Sequence, residues 1–144
     1  MELEKIMSMW EEDAHIDDKA LDNESLNIPN VHQKYLDIYS KEKRKLSDLE
    51  THWKVLFQQR WEAVISKNGK APEHNIRVSK TELERHYVAA DDVLQKAEKI
   101  MNEQKSKVEY LKSVLSMIEN RSFHINNAIN WRKFVAGLGC PLKY

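Results

Sequence analysis

The 144-residue chain is poor in the residues that bend or staple a backbone: it has three glycines, three prolines and one cysteine. A strand-and-turn fold needs many more turn residues than this, so the scarcity favours long helices. A single thiol, Cys140, excludes an internal disulfide and a thiolate zinc cluster, and beside Pro141 it reads as an inert group. No run of 18 apolar residues occurs, so no membrane span is expected. The opening MELEKIMSMW carries acids where a secretory leader would be basic, which argues against secretion. There is no net charge either, with 23 basic and 23 acidic residues, which excludes a globally basic nucleic-acid binder but not a locally basic one. Finally, none of the motifs GxxxxGKS/T, GxGxxG, GxSxG, HExxH or HxH is present. The expectation is a binding protein, not an enzyme, with no cofactor.

What the chain does have is charge, unevenly spread. Residues 1–33 hold nine acids and two bases, whereas 34–70 hold nine bases and five acids. Residues 71–105 are nearly balanced, and 106–144 hold six bases and two acids. The acidic arm could attract the basic segments or separate partners.

Periodicity supplies the architecture. Leu3, Ile6, Met7 and Trp10 fall at helical spacing, and Asp17 or Asp18 could cap a second short helix ending near Leu26. The polar stretch NESLNIPN, with Pro29, predicts a break. From Asn30 to Lys67 nothing interrupts a helix, which at 1.5 Å per residue would be roughly 55 Å long. Its apolar stripe is Tyr39, Leu46, Leu49, Trp53, Leu56 and Ala63, with Glu42 and Arg60 in the same register. Asn68-Gly69 and the segment KNGKAPEHNIRV mark the bend of a hairpin. Ser79 and Glu82 form a capping box that opens the return helix. There Leu83, Tyr87, Ala90, Leu94, Ala97, Met101, Gln104, Val108, Leu111, Leu115 and Ile118 step by four and three without a slip. So strict a repeat predicts one helix that lies along another. Ser122 could cap a last helix with Phe123, Ile125, Ile129, Trp131 and Phe134, ending at Gly137, that packs on the hairpin or on a neighbouring subunit. The expected fold is all-α: an acidic N-terminal arm of short helices (1–29), a long antiparallel, coiled-coil-like helical hairpin (30–120), and a C-terminal oligomerisation helix and tail (121–144).

Few residues suggest chemistry. The six histidines form no HExxH, HxH or Cys/His cluster; Glu82 and His86 are an i,i+4 pair that can bind metal, but such a pair is far more often a surface hydrogen bond. Asp91 and Asp92 are adjacent and face different sides of a helix, which rules out shared acid–base work. The densest positive patch is Lys41-Glu42-Lys43-Arg44-Lys45. Most such runs are solvated faces. Here Lys54 returns to the face of Lys43, and Gln58 and Trp61 continue the stripe. Lysines with an indole at helical spacing suit a single strand, whose phosphates they hold and whose bases stack. Trp53, in the apolar register, reads as packing. Arg60 stands where an apolar residue is wanted: it either pairs with a carboxylate and fixes register, or is aimed at a ligand. Several copies round a ring would add contacts on one strand.

The order of the segments DAHID (from Asp13), YLDIYSKEKRKLSDLE, KVLFQQRWE, KTELERHYVAADDVL and SMIENRSFHINNAI, with the closing FVAG, resembles the UvsY recombination mediators of T-even-type bacteriophages. The resemblance implies a helical protein that forms a ring of seven and binds single-stranded DNA in the cytoplasm of the bacterial host. It implies a RecA-class recombinase and a single-strand-binding protein as partners, the second displaced by the first. The family's DNA-contacting stretch is a basic helix before the loop. Lys54-Val55 matches its opening and Arg60 its arginine, while Gln58 replaces a lysine and Ala63-Val64 an aromatic pair. Trp61 and the Lys41–Lys45 run are the candidates to compensate. The implied strand-binding set is Lys41, Lys43, Arg44, Lys45, Lys54, Gln58, Arg60, Trp61, Lys67 and Lys70; the implied assembly segment runs from about Arg121 to Gly137. The rival expectation is a coiled-coil adaptor or scaffold without nucleic-acid binding, with Arg60 in an internal ion pair.

Overall fold

The computed structural model describes residues 1–68 and 80–137. These form helices α1 (Leu3–Asp13), α2 (Leu21–Asn68), α3 (Lys80–Ala90), α4 (Asp92–Glu119) and α5 (Arg121–Val135), and no strand is found among them. The chain is all-α, as its periodicity and its lack of turn residues require. It divides into two compact units. The first gathers Met1–Lys41 and Glu109–Tyr144, the second is Glu42–Val108. No described helix is long and apolar enough to cross a membrane.

The first unit has an aliphatic core of Ile6, Leu111, Val114, Leu115 and Ile118 around the fully buried ring of Tyr35. Trp10 meets that ring edge-on, with centroids 5.4 Å apart. Ile6 and Trp10 are one turn apart, so a single face of α1 is covered. Stacking the four-and-three stripe at 111, 115 and 118 against residues 28, 31 and 35 of α2 closes the unit.

Two local expectations fail here. No second short helix ends near Leu26, and Pro29 does not break the chain: it lies inside α2, which already starts at Leu21. Pro29 removes one intrahelical bond, a cost of about 3 kcal/mol in a helix interior. Its ring is exposed, while Ile28, Val31 and Tyr35 on either side are packed into the core. Burying three such side chains is worth about 1.5–3 kcal/mol each, so packing outweighs the missing bond. Residues on both sides of 29/30 therefore share one helix and one unit. Asp17 does not cap a helix of its own. Its carboxylate accepts from the Lys19 amide at 3.0 Å and its carbonyl from the Ala20 amide at 3.2 Å, a turn that delivers the chain to Leu21.

The polar fastening of this unit comes from Arg121, only 5% exposed. Its Nη2 donates to the carbonyls of Asp13 (2.8 Å), Ala14 (3.3 Å) and His15 (2.9 Å), and lies 3.9 Å from Glu24. These carbonyls belong to the unsatisfied C-terminal end of α1, where the helix dipole is negative. Asp13 in turn accepts from Lys34 at 2.6 Å and from the Tyr35 hydroxyl at 2.8 Å. Burial would raise the Asp13 carboxyl, but those two donors hold it below its ordinary value. Burial and the Asp13 hydrogen bond push the Tyr35 hydroxyl up.

The second unit pairs α2 with α3 and α4 in antiparallel sense: Glu42 meets Gln104, and Arg60 meets Asp91. Leu94, Met101 and Val108 are buried on α4, with Leu46, Leu49 and Leu56 half-buried on α2. From Tyr87 onward the stripe keeps its register but not its helix, since α3 ends at Ala90 and α4 begins at Asp92. Asp91 makes the interruption without glycine or proline. Its Oδ1 accepts from the amides of Val93 (3.0 Å) and Leu94 (3.2 Å), the arrangement of an N-cap.

Candidate nucleic-acid interface

On α2 of the second unit, side chains sort into three directions. Glu42, Leu49, Trp53, Leu56 and Arg60 share the register turned to α3 and α4. Lys43, Lys54 and Trp61 sit about a quarter-turn round. Arg44 and Val55 lie further towards solvent, Val55 being 50% exposed.

The inward register carries two polar contacts. The Gln104 amide donates to the Glu42 carbonyl at 2.9 Å and to its carboxylate at 2.8 Å. Lys45 reaches the same carboxylate at 3.2 Å and Lys107 lies 3.7 Å away. Burial alone would raise the Glu42 carboxyl; the hydrogen bonds and positive charge around it, Gln104 first and Lys45 among the others, hold it down at about 2. A carboxylate 3% exposed is tolerated because Gln104, Lys45 and Lys107 all turn donors towards it. Near the other end, Arg60 Nε donates to Asp91 Oδ2 at 2.7 Å. That bond lowers the Asp91 carboxyl and raises the Arg60 guanidinium. Of the two roles open to Arg60 in the sequence, pairing with a carboxylate is therefore realised. The Arg60 side chain is still 43% exposed while paired.

Between these contacts runs an aromatic ladder. Trp53 stacks on Phe57 (5.3 Å, 24°) and Phe57 lies nearly parallel to Trp61 (6.3 Å, 11°). Tyr87 of α3 meets both Phe57 (5.6 Å) and Trp61 (5.1 Å) edge-on. The residues at 53, 57 and 61 are four apart, so one helix face builds the stack. Phe57 and Tyr87 were not singled out as partners by sequence pattern, although the spacing of 53, 57 and 61 was there to be read. Two polar atoms, Trp53 Nε1 and the Tyr87 hydroxyl, are buried without a hydrogen-bond partner.

The sequence-derived strand-binding residues separate accordingly. Lys43, Arg44 and Lys54 are exposed on α2 of the second unit. Lys45 is exposed but bonded to Glu42, and Gln58 donates to Glu62 at 2.9 Å. Trp61 is half-buried in the ladder. Lys41 is exposed at the edge of the first unit. The Lys67 side chain and all of Lys70 lie outside the described residues, as do Ser79, Gly69, Cys140 and the Glu82 side chain that the cap, stop, thiol and metal readings concern. Among the described residues no group of three His, Cys, Asp or Glu side chains could hold a metal ion.

The five assembly candidates also divide, within the first unit. Ile125 is buried and Ile129 half-buried, so both serve their own unit. Phe123, Trp131 and Phe134 are 65–68% exposed, with the rings of Trp131 and Phe134 stacked at 5.7 Å. The residue before α5 is Asn120, and neither it nor Ser122 makes a side-chain cap in the way expected of Ser122.

Comparison with known proteins places this geometry. Three crystal structures of the bacteriophage T4 recombination mediator protein UvsY match the fold, in lattice types IV, II and I. Their TM-scores are 0.77, 0.76 and 0.72 at 22%, 24% and 22% identity. They cover 93%, 94% and 90% of this chain and 98% of each T4 chain. No curated protein matches the sequence. A family model described as recombination, repair and ssDNA binding protein UvsY matches residues 9–138, nearly the whole chain. That span includes the whole second unit, most of the first, the α2 cations and the α5 aromatics, and the chain belongs to the UvsY family.

Proposed function

We propose that the protein is a recombination mediator that binds single-stranded DNA, helps to load a RecA-class recombinase on it, and displaces single-strand-binding protein in the host cytoplasm. The family match carries the reading. What supports the place of binding is the exposure of Lys43, Arg44 and Lys54 on one helix of the second unit. Cations on a rigid helix hold phosphates without sequence preference, and the gain is the release of counterions. Lys45 stays exposed beside its Glu42 bond, and Arg60 keeps exposed surface while paired. Ring assembly, with seven copies, multiplies a patch that is weak alone. The exposed Phe123, Trp131 and Phe134 support an association surface on α5, since monomers rarely leave such rings together in water. A strand held along several copies is stiffened, which loosens the single-strand-binding protein and leaves room for a recombinase protomer.

Fluorescence anisotropy of a labelled oligo(dT) against salt tests the reading. Binding should fall with a log–log slope of about 0.7 per phosphate engaged, and the paired variant Lys43→Ala, Lys54→Ala should lower both affinity and slope. Salt-insensitive or absent binding would sink it. For assembly, light scattering of the variant with Phe123, Trp131 and Phe134 changed to Ser should give a smaller mass; an unchanged mass would remove α5 from the interface.

One observation favours the adaptor reading: Arg60 is held by Asp91. The same titration separates the two. If Arg60 also touches phosphate, Arg60→Ala weakens binding while Asp91→Asn spares it. If its work is internal, the two variants behave alike.

A further inference from the structure

A cavity of about 390 Å³ opens in the second unit beside the aromatic ladder, lined by Trp53, Thr81, Arg85, Ala89, Gln95 and Glu98 among others. Neither the α2 cations nor the Arg60–Asp91 pair uses it. Its chemistry is mixed in a particular way. One wall is an indole whose Nε1 is buried without a partner. Gln95 donates its amide to the Ala89 carbonyl at 2.5 Å, which leaves the Gln95 side-chain carbonyl as an acceptor. Glu98 is a further acceptor, Thr81 offers a hydroxyl, and the exposed Arg85 is a cation.

We propose that this cavity receives one nucleobase of the bound strand in each protomer, seated against Trp53, with Arg85 holding the neighbouring phosphate. The inference rests on the strand-binding reading above and assigns the base-binding subsite within it. Three physical points carry it. Trp53 immediately precedes Lys54 on α2 but points a quarter-turn away from it, so a strand held at Lys54 reaches the cavity by turning round the helix over a nucleotide or two. A carboxylate inside the cavity repels phosphate but accepts from an exocyclic amine, so Glu98 selects a base over the backbone. An aromatic wall gives every base a stacking surface, and base stacking on aromatic side chains is sequence-tolerant, as a general strand binder requires. The edge groups then add a mild preference for cytosine, whose N4 amine can meet Glu98.

The probes are a labelled 20-nucleotide oligo(dC) and an abasic strand of the same length, titrated into the full chain at one salt concentration. The expected result is that oligo(dC) binds about tenfold more tightly than the abasic strand, since one stacked base is worth roughly that factor. Ala89→Phe fills the cavity from an exposed position and should erase this advantage while leaving abasic binding unchanged. Circular dichroism checks that the variant keeps its helices. Arg85→Ala is the second variant, and should lower the affinity for both strands severalfold. Equal affinity of wild type for the two strands, or an oligo(dC) advantage that survives Ala89→Phe, overturns the base subsite while strand binding stands. Failure to bind either strand overturns the strand-binding reading itself. Saturable binding of free deoxycytidine monophosphate that outcompetes the strand would assign the cavity to a mononucleotide and overturn the proposal.

Discussion

The two units bury polar groups in opposite ways. In the first, one arginine serves backbone: Arg121 gathers three carbonyls at the end of α1 around an aliphatic core. In the second, side chain meets side chain, Glu42 with Gln104 and Arg60 with Asp91, across a leaner apolar interior of Leu94, Met101 and Val108. Backbone carbonyls cannot be mutated away and must be satisfied wherever α1 ends, so Arg121 acts as a closure. Side-chain pairs could be replaced by apolar residues of similar volume. Their contribution is alignment, because a slip of the helices strands a carboxylate without its donors. A closed first unit and an aligned second unit suit different tasks: one presents α5, the other holds cations and aromatics at fixed spacing.

The comparison can be broken most forcefully at Arg121. Arg121→Met keeps much of the volume, leaves three carbonyls without their donor and takes the cation from beside Glu24, so unfolding free energy in urea should drop by about 3 kcal/mol. Amide exchange should rise first along α1. A loss of less than about 0.5 kcal/mol, the size of an ordinary surface change, would mean that the core closes the unit unaided.

Next in size is Glu42. Glu42→Ala should cost about 2 kcal/mol by removing the charged acceptor of Gln104, Lys45 and Lys107, which leaves the Gln104 amide on the backbone carbonyl of residue 42 and Lys107 on the Gln104 carbonyl. The same residue gives a pH signature. Its folded carboxyl lies at about 2 against an ordinary 4.5, so its contribution is complete above about 4.5 and is lost as pH falls towards 2. Melting followed between pH 5 and pH 2 should show a smaller acid loss in Glu42→Gln than in wild type. Parallel curves would remove Glu42 as a source of acid sensitivity. Asp13, also lowered, should add an acid loss of its own in the first unit, which Asp13→Asn would isolate.

Smallest is the break at Asp91. Asp91→Ala removes the cap of α4, and a lost cap costs about 1 kcal/mol. Asp91→Ser should recover most of that while leaving Arg60 without its carboxylate. If serine gives no recovery, the ion pair rather than the cap maintains the break.

Much of this was legible in the sequence, for identifiable reasons. The stripe from Tyr87 to Ile118 was readable because a helix repeats every 3.6 residues, and Leu94, Met101, Gln104, Val108, Leu111, Leu115 and Ile118 are all buried. Glu42 and Arg60 stood out because a polar residue in an apolar register needs a partner. Which partner was not legible, since Gln104 and Asp91 lie 62 and 31 residues away along the chain. Pro29 misled because local rules weigh one lost hydrogen bond but not the core around it. Asp91 misled in the reverse sense: the stripe continues through it, and only its capping geometry reveals two helices. Phe57 joined the ladder unforeseen because a residue off the main stripe still packs when its neighbours a turn away are aromatic.

By itself the sequence determined the helical class, the registers that face inward, the uneven charge along the chain and the family, because each of these is written in residue type and spacing. Tertiary structure alone decided that Arg121 fastens α1, that Asp91 engages Arg60, that a cavity lies beside Trp53, and that three rings of α5 face water. Those outcomes depend on which distant groups meet within about 3 Å, and hydrogen bonds and contacts act only at that range.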